Sequence, residues 1–200
     1  MKKMIDKAFI DDHLDELIEC VNKASKEIIS IYMGDDFGQI EKSDGSPLTI
    51  ADKNANQVIL DELQSISSDI SIISEETFEN NLLKNLDKTY WLVDPLDGTR
   101  EFINKTDEFT VNIALIDNKK AIFGIVAAPV TGKVWHGSVF EKNNTDEGSV
   151  EKIRIVMSKS HKSENDRAFL EFIDSKNINY EIIEKGSSLK LCSLADNEAD

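Results

Sequence analysis

Cysteine is scarce in this sequence, and long apolar runs are absent. Only two of the 200 residues are cysteines, Cys20 and Cys192, and they lie far apart within apolar patterns. Two separated thiols favour a reduced protein over a disulfide-bonded secreted one. The run at residues 121–130 is interrupted by Gly124 and Pro129, whereas a membrane-spanning helix needs about 20 apolar residues. Because the first residues also lack the apolar core of a secretory signal, we expect a cytoplasmic protein with no transmembrane segment.

Basic residues are few as well. The chain has 23 lysines and arginines against 38 acidic residues, which gives a formal net charge of -15. Nucleic acids and anionic membrane surfaces attract clustered basic side chains, so this balance argues against a nucleic-acid partner. A phosphorylated small molecule would also be repelled unless a bound cation reversed the local charge. The hydrophobic fraction of 40% is high enough to form a core, which excludes a disordered acidic tail.

Apolar periodicity predicts two helices, then a sheet, then alternating strands and helices. The two helices are predicted at residues 14–32 and 49–66, with Pro47 and Thr49 as start signals for the second. Strands are predicted at residues 70–73, 90–93, 109–116, 121–128 and 133–140, the last three as an antiparallel meander. Further strands are expected at residues 153–157 and 180–183, and helices at 163–174 and 187–195. This order predicts an α+β domain at residues 1–150, followed by the start of an α/β domain at residues 151–200.

Acidic residues gather where predicted strands end. Glu75 follows one strand, Asp94 ends the next, and Asp97 comes three residues later across Pro95 and Leu96. Across a tight turn the two aspartates can point to the same side, with the carbonyl of Leu96 between them. Carboxylates and a backbone carbonyl are the hard oxygen ligands that Mg²⁺ takes. Because no histidine-rich or cysteine-rich spacing is present, zinc is not expected.

The residues after Asp97 suit a phosphate group. Gly98 allows close approach of a ligand, Thr99 supplies a hydroxyl, and Arg100 opens a predicted helix whose N-terminus could hold an anion. The alternative interpretation is an ordinary type I turn, in which aspartate and glycine have only conformational roles. Taken alone, the short string Asp-Pro-x-Asp-Gly does not decide between the two.

The longer string does favour one of them. Residues 91–102 read WLVDPLDGTREF, which closely resembles the signature of the lithium-sensitive, magnesium-dependent phosphomonoesterases of the inositol monophosphatase superfamily. Residues 42–52, 74–76 and 186–190 resemble three further motifs of that superfamily, in the expected order. The ending REF and residues 107–115 are more similar to its bisphosphate nucleotidase branch. The resemblance implies a layered α/β/α/β sandwich whose last layer is incomplete in this chain.

The resemblance also implies roles for particular residues. Glu75, Asp94, Asp97 and the Leu96 carbonyl would hold two or more Mg²⁺ ions, for which Mn²⁺ could substitute. Asp52 and Thr99 would form the catalytic pair that activates the attacking water. The residues implied to contact the substrate are Gly98, Thr99, Arg100, His161, Ser187 and Lys190.

Several of these substrate-side assignments have a structural alternative. Ser187 and Lys190 are expected on one face of the first turn of a helix, where they would hold a second phosphate and a sugar. Lys190 could equally be an ordinary surface charge, and His161 an ordinary loop histidine. Glu76 is interpreted as a solvated neighbour of Glu75.

The resemblance implies removal of the 3'-phosphate from adenosine 3',5'-bisphosphate. The alternatives are an inositol or sugar phosphatase of the same superfamily, and a non-catalytic protein that binds metal or nucleotide. Superfamily members continue past the position of Asp200 into a helix that contains a Trp-Asp pair, and no such pair occurs here. The incomplete layer suggests a partner such as a second copy of the chain, and the branch leaves open a peripheral position on the inner face of the cell membrane.

Overall fold

The chain divides into two compact units, the first up to residue 142 and the second from residue 143. The structure is a computed structural model that describes residues 5–34, 36–41, 47–77, 87–141, 152–159 and 163–200. Residue 150, where the sequence predicts a domain boundary, lies outside these described residues.

The first unit contains three helices and seven strands among the described residues. In chain order they are α1 (Lys7–Tyr32), β1 (Ile40–Glu41), β2 (Pro47–Leu48), α2 (Ile50–Ile66), β3 (Ser71–Ser74), β4 (Thr89–Asp97), α3 (Thr99–Ile103), β5 (Thr110–Asp117), β6 (Lys120–Ala128) and β7 (Lys133–Ser138). A 3₁₀ turn at Glu75–Thr77 follows β3. Strands β3 to β7 form one sheet in that order, in which β3 is parallel to β4 and the other neighbours are antiparallel. The predicted helix pair and the meander are therefore confirmed.

Helices α1 and α2 pack together with the sheet around one apolar core. Each helix carries apolar residues every three or four positions, which places them on one face. The core residues from the two helices include Leu17, Val21, Ala24, Ile28, Ala51, Ala55, Ile59 and Leu63. Those from the sheet include Trp91, Val93, Val111, Ile113, Leu115, Phe123 and Ile125. Burying each large side chain stabilises the fold by about 1.5–3 kcal/mol, so this core fixes the positions of the strand ends that carry the candidate site.

The second unit is a small α/β arrangement. Its elements are β8 (Ile153–Ser158), α4 (Glu164–Ser175), β9 (Tyr180–Lys185) and α5 (Leu189–Ala195). Strands β8 and β9 pair in parallel, and the connection between them contains α4. Helix α5 begins at Leu189 rather than at the predicted residue 187, because Ser187 has a left-handed backbone with φ of 52° that cannot continue a helix.

The cysteines and the helices were both the subject of expectations from the sequence. Cys20 and Cys192 are both buried free thiols, as predicted. Within the described ranges, no helix combines the length and the apolarity needed to span a bilayer.

The segment that leads from α1 to α2 depends on a glycine. Gly38 has φ of 53°, and a Cβ atom placed there would lie 2.4 Å from Cδ1 of Ile50. The amide of Ile50 donates to the carbonyl of Phe37 at 3.0 Å, which fixes the segment against the start of α2. Gly132 shares the left-handed backbone, with φ of 69°, but nothing lies within 4 Å of its Cβ position.

We predict that Gly38→Ala destabilises the protein more than Gly132→Ala does. Both changes incur the left-handed strain of about 1 kcal/mol, but only the first also forces Ile50 to move. Adding Ile50→Ala to the Gly38→Ala variant should recover most of the difference. Urea unfolding midpoints of the four proteins measure this, and equal losses for the two alanine variants would contradict the close contact at Gly38.

Candidate functional site

An extra residue in β4 brings two aspartates to one face of the sheet. Asp94 lies opposite Asn112 of β5, and Asp97 lies opposite Thr110, so three steps along β4 match two steps along β5. Residues 110 and 112 share a face because side chains alternate along a strand, and their partners therefore share that face too. Without this β-bulge, positions 94 and 97 would point to opposite sides.

The bulge also explains why the predicted end of the strand is wrong. The sequence suggests that β4 stops at Asp94, because Pro95 has no amide to donate to a neighbouring strand. In the structure the strand continues to Asp97, with its register shifted between Asp94 and Asp97. The proline thus lies at the irregularity, where proline is tolerated within a sheet.

Asp94 is the electrostatic centre of the site. Its side chain is half-buried and accepts a hydrogen bond from the amide of Leu96 at 3.2 Å. Burial is the largest cause that raises the pKa of Asp94, and with repulsion from the carboxylates of Glu75 and Asp97 it brings that pKa to about 7. A smaller repulsion comes from Asp52. Four carboxylates from three segments of the chain, namely α2, the turn after β3, and β4, therefore lie close enough to interact.

This donor set suits a hard divalent cation in its chemistry. Its members are carboxylate oxygens from Glu75, Asp94 and Asp97, together with the backbone carbonyl of Leu96. A cation among them would offset the repulsion that raises the pKa of Asp94. The residues that the structure describes nevertheless include no group of three or more acidic, histidine or cysteine side chains already closed around one point. The two observations are compatible, because carboxylates repel one another over a longer distance than the length of a metal–ligand bond.

Asp52 and Thr99 meet although 47 residues separate them. The Thr99 hydroxyl lies 3.2 Å from Oδ1 of Asp52 and 3.2 Å from the carbonyl oxygen of Leu96, and it can donate to either. Asp52 lies in the first turn of α2 and is only 1% exposed. Burial raises its pKa, and hydrogen bonds from Thr49 and Thr99 act in the opposite direction. The structure thus places a buried carboxylate beside a hydroxyl at the edge of the acidic group.

Thr49 is predicted from the sequence only as the start of a helix, and its contact with Asp52 is an addition from the structure. The hydroxyl and the amide of Thr49 both donate to Oδ2 of Asp52, at 2.6 and 2.7 Å. The signal was available, because a threonine followed three residues later by an acidic residue is the spacing of a capping box.

Glu75 is placed by the end of β3. The hydroxyl of Ser74, which is fully buried, donates to Oδ1 of Asn56 on α2 at 2.5 Å. This bond fixes the last residue of β3 against the helix that carries Asp52. Glu75 follows directly and is exposed, whereas Glu76 is half-buried.

Helix α3 is a single turn that is held by aromatic packing. Gly98 precedes it with φ of 91°, which is a left-handed conformation that glycine adopts without strain. Phe102 is fully buried, and its ring lies 5.1–5.2 Å from the rings of Tyr32, Phe37 and Phe109. Thr99 therefore starts a turn whose inner side is fixed, while Arg100 is exposed.

The second unit carries two further residues that the sequence predicts as substrate contacts. Ser187 and Lys190 belong to the second unit, where the ammonium of Lys190 donates to the carbonyl of Ser187 at 2.6 Å. The prediction that they share one face of a first helical turn is wrong, because Ser187 precedes the helix in a left-handed conformation. His161 and the first part of the motif at residues 42–52, namely residues 42–46, lie outside the described residues.

Comparison with known proteins gives a consistent result. Residues 11–200 match the inositol monophosphatase family. The chain is 35% identical over 195 residues to the 3'(2'),5'-bisphosphate nucleotidase CysQ of Escherichia coli strain K12, which covers 93% of this chain and 78% of that protein. It is 37% identical over 198 residues to CysQ of Buchnera aphidicola, which covers 93% of this chain and 72% of that protein.

Solved structures agree with this fold. The crystal structure of CysQ from Bacteroides thetaiotaomicron superimposes with a TM-score of 0.76 at 28% identity, covering 94% of this chain and 78% of that one. The Thermotoga maritima IMPase superimposes with a TM-score of 0.72 at 22% identity, covering 94% and 74%, which shows a shared fold. The predicted α+β class and the resemblance in the motifs are confirmed.

The raised pKa of Asp94 predicts a pH-dependent stability in the presence of a chelator. Protonation of Asp94 stabilises the folded state, and this stabilisation is complete below the ordinary pKa of 3.8. It is lost as the pH rises through the folded-state pKa of about 7. Asp94→Asn stays neutral, so it should melt above the unmodified protein at pH 8, with the difference shrinking toward pH 5. After solvent screening we expect about 2–4 °C at pH 8, which corresponds to roughly 1 kcal/mol.

Thermal unfolding followed by circular dichroism from pH 5 to pH 8 measures this. Asp61→Asn is the matched control, because Asp61 is exposed on α2, and its effect should not vary over this range. If Asp94→Asn melted below the unmodified protein at pH 8 in chelator, burial and repulsion would not destabilise the ionised form of Asp94 as this account requires.

Proposed function

The chain belongs to the inositol monophosphatase family, and we propose that it is a 3'(2'),5'-bisphosphate nucleotidase. The reaction is hydrolysis of the 3'-phosphate of adenosine 3',5'-bisphosphate. The observation that carries this proposal is the bond of 3.2 Å between the buried Asp52 and the Thr99 hydroxyl, beside Asp94, whose carboxylate is repelled by those of Glu75 and Asp97. The substrate class is supported by the similarity to proteins named CysQ.

In this proposal Asp52 and Thr99 move the proton of the attacking water. The Thr99 hydroxyl donates to Asp52, which leaves the lone pairs of its oxygen to accept a hydrogen bond from water. As the water oxygen bonds to phosphorus, its proton passes to Thr99 and the hydroxyl proton passes to Asp52. Burial raises the pKa of Asp52, and this makes the carboxylate a stronger base. The bond from phosphorus to the 3'-oxygen breaks, and that oxygen takes up a proton from a solvent water to leave as an alcohol. Asp52 then returns its proton to solvent.

Family members are metal-dependent phosphatases, and Glu75, Asp94, Asp97 and the Leu96 carbonyl are the proposed ligands here. We propose two or more Mg²⁺ ions, with Mn²⁺ as a substitute. Bound divalent cations lower the pKa of water and neutralise charge on the phosphoryl oxygens. The bulge in β4 contributes by directing Asp94 and Asp97 to one face.

The substrate contacts implied by the motifs are also part of the proposal. Gly98, Thr99 and Arg100 would lie next to the phosphoryl group, since they directly follow a proposed ligand in the chain. Ser187 and Lys190 would bind the second phosphate and the sugar. Their contact at 2.6 Å keeps a cation next to a hydroxyl-bearing residue, which suits a phosphate. His161 remains part of the proposal as an adenosine-side contact.

We also propose a cytoplasmic location and a homodimer. A cytoplasmic location agrees with the two buried free thiols. A homodimer is supported by exposed apolar side chains of the second unit, Phe169, Phe172 and Leu191. Light scattering on a size-exclusion column gives the mass that tests this.

Phosphate release measures the proposed activity directly. With Mg²⁺, we expect the protein to hydrolyse adenosine 3',5'-bisphosphate faster than inositol 1-phosphate, and a chelator should abolish the activity until Mg²⁺ is restored. Asp52→Asn should lower kcat by about 10²-fold or more, since general-base catalysis contributes about 10²–10⁴-fold. Asp97→Asn should also lower kcat, because it removes a proposed metal ligand. Asp61→Asn, an exposed aspartate on the same helix as Asp52, should leave kcat unchanged.

Each other outcome supports a different function. Faster turnover of inositol 1-phosphate would assign an inositol phosphatase. Calorimetric binding of Mg²⁺ without turnover of either substrate would assign a non-catalytic protein. Full activity in Asp52→Asn would remove the proposed proton path.

A further inference from the structure

The two carboxylate oxygens of Asp52 have different partners. Oδ2 accepts from the hydroxyl of Thr49 at 2.6 Å and from its amide at 2.7 Å. Oδ1 accepts from the hydroxyl of Thr99 at 3.2 Å. Thr49 therefore contacts only the oxygen that faces away from Thr99, and it makes the two shorter bonds.

Burial keeps each Asp52 oxygen with its own partner. Thr49 is fully buried and Asp52 is 1% exposed, so water cannot replace the bonds at Oδ2. The terminal torsion of an aspartate is otherwise broad and roughly two-fold, which would let the carboxylate turn. Two donors that are fixed at the helix N-cap hold it in one orientation.

The chain contains a second capping box with the same bonds and a different setting. At the start of α4, the hydroxyl and the amide of Ser163 donate to Oδ2 of Asp166 at 2.9 and 2.7 Å. Ser163 is exposed and Asp166 is half-buried, whereas Thr49 and Asp52 are both buried. These bonds lower the pKa of Asp166, whereas burial raises that of Asp52 despite the same bonds. One capping box therefore only starts a helix, and the other also holds a buried carboxylate against a hydroxyl.

We propose that Thr49 is a positioning residue for catalysis, because it occupies one oxygen of Asp52 and thereby aims the other at Thr99. This inference rests on the proposed function for its effect on rate. Its structural part, the aim of the Asp52 carboxylate, holds or fails without any measurement of activity.

Thr49→Val removes the hydroxyl with little change in shape. We expect kcat to fall about 10- to 100-fold, since misplacing a catalytic group by about 1 Å can cost about 10²-fold. KM should change by less than about threefold, because the hydrogen bonds described for Thr49 involve Asp52, Ala51 and Lys53, which are not among the proposed substrate contacts. Thr49→Ser keeps the hydroxyl and should restore most of kcat.

Two controls separate positioning from loss of stability. Thr89→Val removes another threonine–aspartate bond, the one to Asp117 at 2.6 Å at the opposite end of β4. Ser163→Ala removes the hydroxyl of the capping box of α4. Both should lower the melting temperature and leave kcat within about twofold of the unmodified protein. If Thr49→Val does not fold, Thr49→Gly replaces it, because glycine at an N-cap is tolerated far better than an apolar side chain.

A crystal structure of the Thr49 variant supplies the readout that is independent of activity. We expect the Asp52 carboxylate to turn, so that no carboxylate oxygen remains within 3.5 Å of the Thr99 hydroxyl. An unmoved carboxylate together with an unchanged kcat would overturn the proposal. If the unmodified protein hydrolyses neither phosphate substrate, the proposed function fails, and the position of the carboxylate still decides the structural part.

Discussion

Repulsion among carboxylates that share a partly buried site is the constraint on which the rest of this structure depends. Asp94 experiences burial together with the charges of Glu75, Asp97 and Asp52, and its pKa rises to about 7 as a result. Such a group opposes folding at neutral pH, so the remainder of the unit has to compensate for it. A divalent cation bound among these carboxylates would offset their repulsion, and it would allow a strongly acidic protein to bind a phosphorylated substrate.

The surrounding fold compensates by fixing each charged segment separately. The bulge in β4 directs two aspartates to the same face of the sheet, and the Ser74–Asn56 hydrogen bond fixes the end of β3. The cap at Thr49 holds Asp52, and the buried ring of Phe102 fixes the turn that begins with Thr99. None of these supports carries charge, so each one positions a polar group without adding to the repulsion.

The sequence predicted which residue types form this site, but it did not predict how the backbone brings them together. The string DPLDGT and the helical periodicities predicted the acidic residues, the two long helices and the meander. The bulge could not be predicted, because the extra residue of β4 is defined only by pairing with β5. The first turn proposed for Ser187 and Lys190 failed for a similar reason, since a left-handed serine leaves no trace in apolar periodicity. The partners of Asp52 required contacts between residues 47 positions apart, which spacing alone does not give.

Diffraction from crystals grown with Mn²⁺ tests the central claim most directly, because the anomalous signal of manganese locates the ion without reference to activity. This account predicts strong peaks within bonding distance of the carboxylates of Asp94 and Asp97, and of Glu75. Crystals grown with abundant Mn²⁺ whose maps showed these carboxylates apart, with no anomalous peak among them, would contradict it.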